Sequence, residues 1–582
     1  MQTLVAPYRT LFRTYLAPQW PRLLLLAALL SLNLGLQLGL PRVVQTFIDQ
    51  AIGGSTLQVL IGLGLLYLGV AISQNLILVG WQYVAQNIGL LATNQIRADL
   101  TRHCLQLDLS FHNARTPGEL IERVDGDVGK LEHFLAQFMI QLLLNGLLVI
   151  GVVLMLFLID WRVALPSAIG VVVAAVSAIL LSRPVTRYSA EERQASAELF
   201  GLLEERLAGT EDLRANGGVA YVLRRHLERS RALFRASVLR SLFAVLSWRA
   251  LSMAIMISGI VALLIGALLA LDGVLTLGQV YLIFAYTTLL EHPVDELQRQ
   301  LNEVQQAIAS LARVEQLFAI QPKLVAPTEI TALPSGALSV TLDEVGFAYP
   351  DGEPVLQNVS LQLGAGQSLG LIGRTGSGKT TLTRLLLRLY DPTAGSIRLG
   401  GVELRAVAQP ALRTRVAVVT QEIQLFSATV RDNLTFFDPT MSDAQLLQAL
   451  DTLGIGAWVR SLPQGLDTPL AAGGSGLSAG QAQLLAFGRA FLRDPGLIIL
   501  DEASSRLDPA TERQLDHALR ELLKGRTAII IAHRLGTLER VDQIMLLEQG
   551  QVVEHGARVQ LKHDPDSRFA HLLQLGLEAT LA

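Results

Sequence analysis

Ser368-Leu369-Gly370-Leu371-Ile372-Gly373-Arg374-Thr375-Gly376-Ser377-Gly378-Lys379-Thr380-Thr381 is the stretch that decides how the second half of this chain folds. Its first five residues read as a short buried strand. The next nine match G-x-x-x-x-G-K-[ST], a phosphate-binding loop set between a strand and a helix. The glycines let backbone N–H groups close around phosphate oxygens, and the helix over Leu382–Leu389 points its positive end at the anion. Lys379 supplies a point charge for the outer phosphates, and the Thr380 hydroxyl suits a Mg²⁺ ion. Gly373, Arg374, Thr375, Gly376, Ser377, Gly378, Lys379, Thr380 and Thr381 are therefore the candidate nucleotide contacts.

A second apolar run, Leu497-Ile498-Ile499-Leu500, ends in Asp501-Glu502. Such a run places two carboxylates at the C-terminal edge of a strand, where the phosphate loop also lies. Asp501 can hold Mg²⁺ through water, and Glu502 can polarise or deprotonate the attacking water. The reading is an α/β P-loop nucleoside triphosphatase domain.

Leu477-Ser478-Ala479-Gly480-Gln481 closely resembles the LSGGQ signature of the ATP-binding cassette (ABC) family. The resemblance implies ATP with Mg²⁺ as the cofactor pair. It assigns Tyr349 to stacking on adenine, Gln421 to sensing Mg²⁺ and the membrane domain, Asp508 to the D-loop and His533 to the γ-phosphate. Ser478, Ala479, Gly480 and Gln481 would touch ATP held by a second cassette, because the family's cassettes pair head to tail. Glu502, His533 and Gln421 are then the candidate catalytic residues, and Thr380, Gln421 and Asp501 the candidate Mg²⁺ ligands.

Upstream the composition changes. Hydrophobic residues make up 51% of the 582-residue chain and charged residues 17%, and the mean hydropathy is +0.42. A soluble domain carries about 25% charge, so part of this chain belongs in lipid. Leu23–Pro41, Val59–Gly80, Phe138–Ile159, Val163–Ser182, Leu251–Leu271 and Gly273–Leu290 contain no Asp, Glu, Lys, Arg or His. A helix needs about 20 apolar residues to cross the hydrocarbon core, so six spans are expected. The net charge of −3 gives no reason to expect nucleic acid. The lone Cys104 forms no intrachain disulfide.

Arginines set the orientation. Arg97, Arg102, Arg183, Arg187, Arg240 and Arg249 lie in two long connections near membrane ends, and Arg9, Arg13 and Arg22 precede the first span. The N-terminus, both connections and the ATPase half are expected on the cytoplasmic side. Met1–Trp20 lacks a cleavage signature and reads as an interfacial amphipathic helix. The two connections keep helical patterning and break at Phe111–Gly118 and between Gly209 and Gly218.

This half resembles the six-helix exporter-type ABC fold, and Asn113–Gly118 and Gly209–Asn216 fall where that family has its coupling helices. The expected organisation is an interfacial helix over 1–20, a transmembrane domain over 21–320, a linker over 321–337 and a nucleotide-binding domain over 338–582. The resemblance implies an ATPase-driven transporter half that works as a dimer and exports an apolar or amphipathic cargo (drug, lipid or peptide), in a bacterial inner membrane. An importer on the same fold and an ATP-gated or regulatory subunit are the alternatives. Two departures stand out. Ala479 replaces the usual glycine, and Thr468-Pro469-Leu470-Ala471-Ala472-Gly473-Gly474 lacks the charged pair usual in homodimeric exporters. The second departure favours a different half-transporter as partner.

Overall fold

The computed structural model describes residues 12–325, 327, 329–350, 352–474, 476–501, 509–532 and 538–575. Most of the expected interfacial helix, Met1–Leu11, lies outside the described residues. The chain forms two compact units. One comprises residues 1–107 and 115–321, and the other comprises 108–114 and 322–582.

The first unit is helical. Its long helices are α1 (Trp20–Ile52), α2 (Leu57–Gln106), α3 (Met139–Ile159), α4 (Trp161–Ala208), α5 (Val219–Leu271), α6 (Leu277–Leu289) and α7 (Glu291–Ala319). Among the described residues, five stretches are long and apolar enough to cross a membrane: Arg13–Ile52, Leu57–Gln106, Pro117–Ile159, Trp161–Ala208 and Val219–Leu271. At 1.5 Å per residue, the 53 residues of α5 span about 80 Å, far beyond a hydrocarbon core of about 30 Å. Helices α2, α4 and α5 thus carry their apolar spans and continue well past them.

The sixth expected span is built differently. Gly273–Leu290 yields only the 13-residue α6, and α7 follows directly after Leu290. The start is set by chemistry that the apolar count overlooks. Thr276 caps α6 with a reciprocal Gln279 capping box, which satisfies orphan N–H groups at the helix end. Asp49, near the end of α1, accepts from the Thr276 hydroxyl at 3.0 Å and from the Gly278 N–H at 3.0 Å. Further along, the buried Tyr286 hydroxyl donates to the Leu38 carbonyl at 2.8 Å. These bonds tie α6 to α1 at two levels.

Small residues let the helices approach closely. A Cβ on Gly170 would sit 2.2 Å from the Ser258 Oγ, and one on Gly89 would sit 2.5 Å from the Ala136 Cβ. The buried Asp127 carboxylate, 1% exposed, accepts from Arg313 Nε at 2.7 Å and from the Ser310 hydroxyl at 3.0 Å. That fork pins α7 to the turn that precedes α3.

The second unit is α/β. A six-stranded sheet runs β12 (Gln551–Ala557), β11 (Gln543–Glu548), β3 (Ser368–Ile372), β10 (Thr527–Ile531), β9 (Leu497–Asp501), β6 (Val416–Val419); a four-stranded antiparallel sheet runs β2 (Pro354–Leu363), β1 (Val340–Ala348), β4 (Ala394–Leu399), β5 (Val402–Glu403); and β7 (Ala428–Thr429) pairs with β8 (Pro469–Leu470). Its central strands are β3 (Ser368–Ile372), β9 (Leu497–Asp501) and β10 (Thr527–Ile531). They are almost wholly apolar and buried, as parallel strands covered on both faces must be. Registers Ile531↔Leu371 and Ile531↔Asp501 align their C-terminal ends on one edge.

The chain's first break is not a bare turn. Residues 108–114 group with the second unit. The Asp108 carboxylate accepts the Leu324 N–H at 3.2 Å, and the Asn113 amide donates to the Tyr390 hydroxyl at 3.2 Å. Leu109 packs against the core beside the four-stranded sheet. The attached segment begins five residues before the expected Asn113–Gly118, because its anchors are Asp108 and Leu109. The second break forms the short helix Thr210–Ala215, within the first unit.

Candidate nucleotide site

Strand β3 delivers the chain to the phosphate loop, and α8 (Lys379–Leu386) leaves it. Gly376 and Gly378 have φ of +83° and +105°, a region that side-chain-bearing residues rarely enter. A Cβ on Gly378 would also meet Leu356 Cδ2 at 2.6 Å, so both space and dihedral demand glycine. The Lys379 ammonium curls into the loop, donating to the Gly373 carbonyl at 2.6 Å and the Arg374 carbonyl at 2.9 Å. Burial pushes its pKa down, while nearby Asp501 pushes it back up. This coupling places Asp501, at the end of β9, in electrical reach of Lys379.

The buried Ser377 hydroxyl has no hydrogen-bond partner among the described residues. A buried orphan oxygen at a loop of this kind fits a ligand that completes it. Thr380 opens the same helix. Thr380 and Asp501 are hard oxygen donors of the kind that hold Mg²⁺, which would neutralise phosphate charge there.

Tyr349 leaves β1 (Val340–Ala348) and stands over α8. Its hydroxyl accepts from Arg384 Nη1 at 3.0 Å and lies 3.2 Å from the Thr381 hydroxyl. Phe347 and Tyr390 hold the ring edge-on, with centroids 4.9 and 5.4 Å away. A cleft of about 890 Å³ lies between this ring and the loop, lined by Tyr349, Val355, Gly376, Gln549 and Arg568 among others.

Sequence reading missed the hairpin that walls this cleft. Strands β11 (Gln543–Glu548) and β12 (Gln551–Ala557) turn at Gln549-Gly550, with φ of +46° and +79°. The Gly550 N–H donates to the Ser377 carbonyl at 3.2 Å, and its own carbonyl accepts from the Gln357 N–H at 2.9 Å. A Cβ there would meet the Val355 carbonyl at 2.2 Å. The Gln-Gly pair after an apolar strand was a legible turn signal; its contact with the loop was not. Gly550→Val is expected to cost about 2–4 kcal/mol, from the left-handed dihedral and the clash. Thermal unfolding of the full chain, with and without ATP, measures it. An unchanged transition and unchanged ATP protection would contradict the bracing role.

Gln421 follows β6 (Val416–Val419), which pairs with β9 at Val419↔Leu500, so Gln421 lies at the same edge as Asp501. Glu502, Asp508 and His533 lie outside the described residues. They follow directly or closely on β9 and β10, whose ends border the loop.

Ser478 caps α9 (Ala479–Leu492) through a capping box with Gln481, whose amide oxygen accepts the Ser478 N–H at 2.9 Å. The Gln481 side chain is thus committed to the cap. None of Ser478–Gln481 is among the described residues lining the cleft. Arg489 of α9 joins the signature helix to the segment after Gln421. It donates to the Asn433 and Gln424 carbonyls at 2.6 and 2.8 Å, and burial, then Arg493, pushes its pKa down to about 10.

A family model described as the ABC transporter transmembrane region matches residues 23–294, and one described as ABC transporter matches residues 356–505. An uncharacterized ABC transporter ATP-binding protein of Bacillus subtilis is 31% identical over 93% of this chain and 89% of its own length. An ATP-dependent lipid A-core flippase of Syntrophus aciditrophicus is 30% identical over 81% of this chain and 78% of its own. The solved structure of a bacterial Atm1-family ABC exporter with ATP bound superposes with a TM-score of 0.80 at 24% identity, covering 96% of this chain and 98% of that one.

Proposed function

We propose, for a chain that belongs to the ABC transporter family and fuses a membrane half with an ATPase coupled to transport, that it exports an apolar or amphipathic substrate. The observation that carries this reading is the presence in one chain of a phosphate loop closed around Lys379 and a capped signature helix, the two halves that the cassettes of this family bring together from different chains. A site of that kind is finished only by a second cassette, so ATP bound between two chains holds them together. Lys379 and the loop N–H groups would hold the phosphates, Tyr349 would meet the base, and Glu502 would activate water. Segments 108–114 and 210–215 would carry closure to the spans. Transport is then a shift between two packings, biased by nucleotide.

Export of an amphiphile is supported by a lipid A-core flippase among the relatives and by spans whose apolar stretches hold no Asp, Glu, Lys, Arg or His. A proton relay needs such residues. A bacterial inner membrane, with the ATPase unit in the cytoplasm, fits the arginine placement. The partner is read as a different half-transporter, since Thr468–Gly474 offers no charged side chain. Affinity capture of the tagged chain from native membranes tests this: recovery of a second, non-identical half is expected, and recovery of this polypeptide alone would refute it.

A further inference from the structure

Where α2 meets the turns that lead into α3, the helices touch at Gly89 and Ala136. Beside that contact lies a cavity of about 370 Å³, lined by Trp81, Gln82, Gln86, Ala136 and Gln141. Three properties of its wall are informative. Its described lining carries four hydrogen-bonding side chains, none of them charged, and the Gln86 amide donates to the Glu132 carboxylate at 3.4 Å. Trp81 is 5% exposed, and its indole N–H has no acceptor among the described residues. The wall at Ala136 belongs to the wide turn Phe134–Phe138, a distortion often found at functional sites.

A buried donor without an acceptor costs stability until an acceptor arrives. Indole can only donate, so whatever satisfies it must present an oxygen acceptor. A neutral wall has no countercharge for a carboxylate or phosphate, and burying an unpaired anion is costly. The level in the membrane narrows the choice further. Trp81 directly follows the charge-free stretch Val59–Gly80, and Gln141 lies just inside Phe138–Ile159. That is the interfacial band where tryptophan settles and where the ester groups of membrane amphiphiles lie. Leu142 and Leu143, which follow Gln141 in α3, are exposed apolar side chains able to flank an acyl chain.

We infer that this cavity binds the uncharged carbonyl-bearing head of a membrane amphiphile, with the Trp81 indole as the donor. The inference rests on the helical unit lying in lipid and not on the direction of transport.

The test is equilibrium binding of tritiated 1-oleoylglycerol to the full-length chain in amphipol, without nucleotide, so that its result is independent of ATPase activity. Saturable binding is expected. The corresponding 1-O-alkyl ether, a poorer acceptor, should bind about fivefold more weakly, as should the ester to Trp81→Phe, each reflecting about one hydrogen bond. Oleate should compete poorly. Trp161→Phe serves as the control and should bind as wild type. Absence of saturable binding, which would mean that water alone fills the cavity, would overturn the assignment. So would equal affinity for ester and ether in the wild-type chain, a comparison that needs no variant to fold.

Discussion

Replacing Lys379 by Met is expected to lower ATP hydrolysis by at least about a hundredfold and to weaken ATP binding by tenfold or more. Each charge-assisted hydrogen bond to phosphate contributes about 1.5–3 kcal/mol, and Lys379 is the cation enclosed by the loop. Its 7% exposure shows that the stem is packed, and Met preserves that stem. The fold should therefore survive, with a thermal midpoint close to wild type. Binding of a fluorescent ATP analogue and phosphate release in nanodiscs read the two effects. Wild-type hydrolysis in the variant would show that phosphate is not bound where Lys379 sits.

The second large effect is expected far from nucleotide. Arg313→Met should destabilise the helical unit by about 3–5 kcal/mol, because it strands the buried Asp127 carboxylate. The Ser310 hydroxyl, 3.0 Å from Asp127, and Lys130, at 3.5 Å, cannot replace the bidentate guanidinium. The double variant Asp127→Leu with Arg313→Met should recover most of that loss, since both charges are then gone. Thermal unfolding of the three proteins tests this. A single variant as stable as wild type would show that the ion pair contributes nothing net.

The second variant also marks where sequence reading ends. The phosphate loop was legible because its function fixes glycine, lysine and hydroxyl at set spacings within one continuous stretch. The buried strands β3 and β9 were legible for a related reason: short charge-free runs allow few alternatives. The helix breaks near Phe111 and Gly209 could be read from glycine, proline and asparagine alone. Asp127 with Arg313, Gly550 with Ser377, and Arg489 with Gln424 join residues far apart in the chain. No local pattern announces them.

The sixth span shows a different limit. Counting uncharged residues gave Gly273–Leu290 as one helix. The structure begins α6 at Leu277 because Thr276-Leu277-Gly278-Gln279 is a capping box and Asp49 meets it. The first half of that signal was present in the sequence, hidden inside an apolar run. The signature helix was legible by motif. Its capping box, Ser478 with Gln481, came only from the structure.

The most direct measurement is ATP turnover by the chain captured from native membranes with whatever partner it retains, reconstituted in nanodiscs beside its Glu502→Gln form. The account predicts turnover that falls by about two to three orders of magnitude in the variant, while ATP stays bound and the two cassettes stay joined. Equal turnover in both proteins would contradict it, since hydrolysis would then not depend on the carboxylate that follows β9.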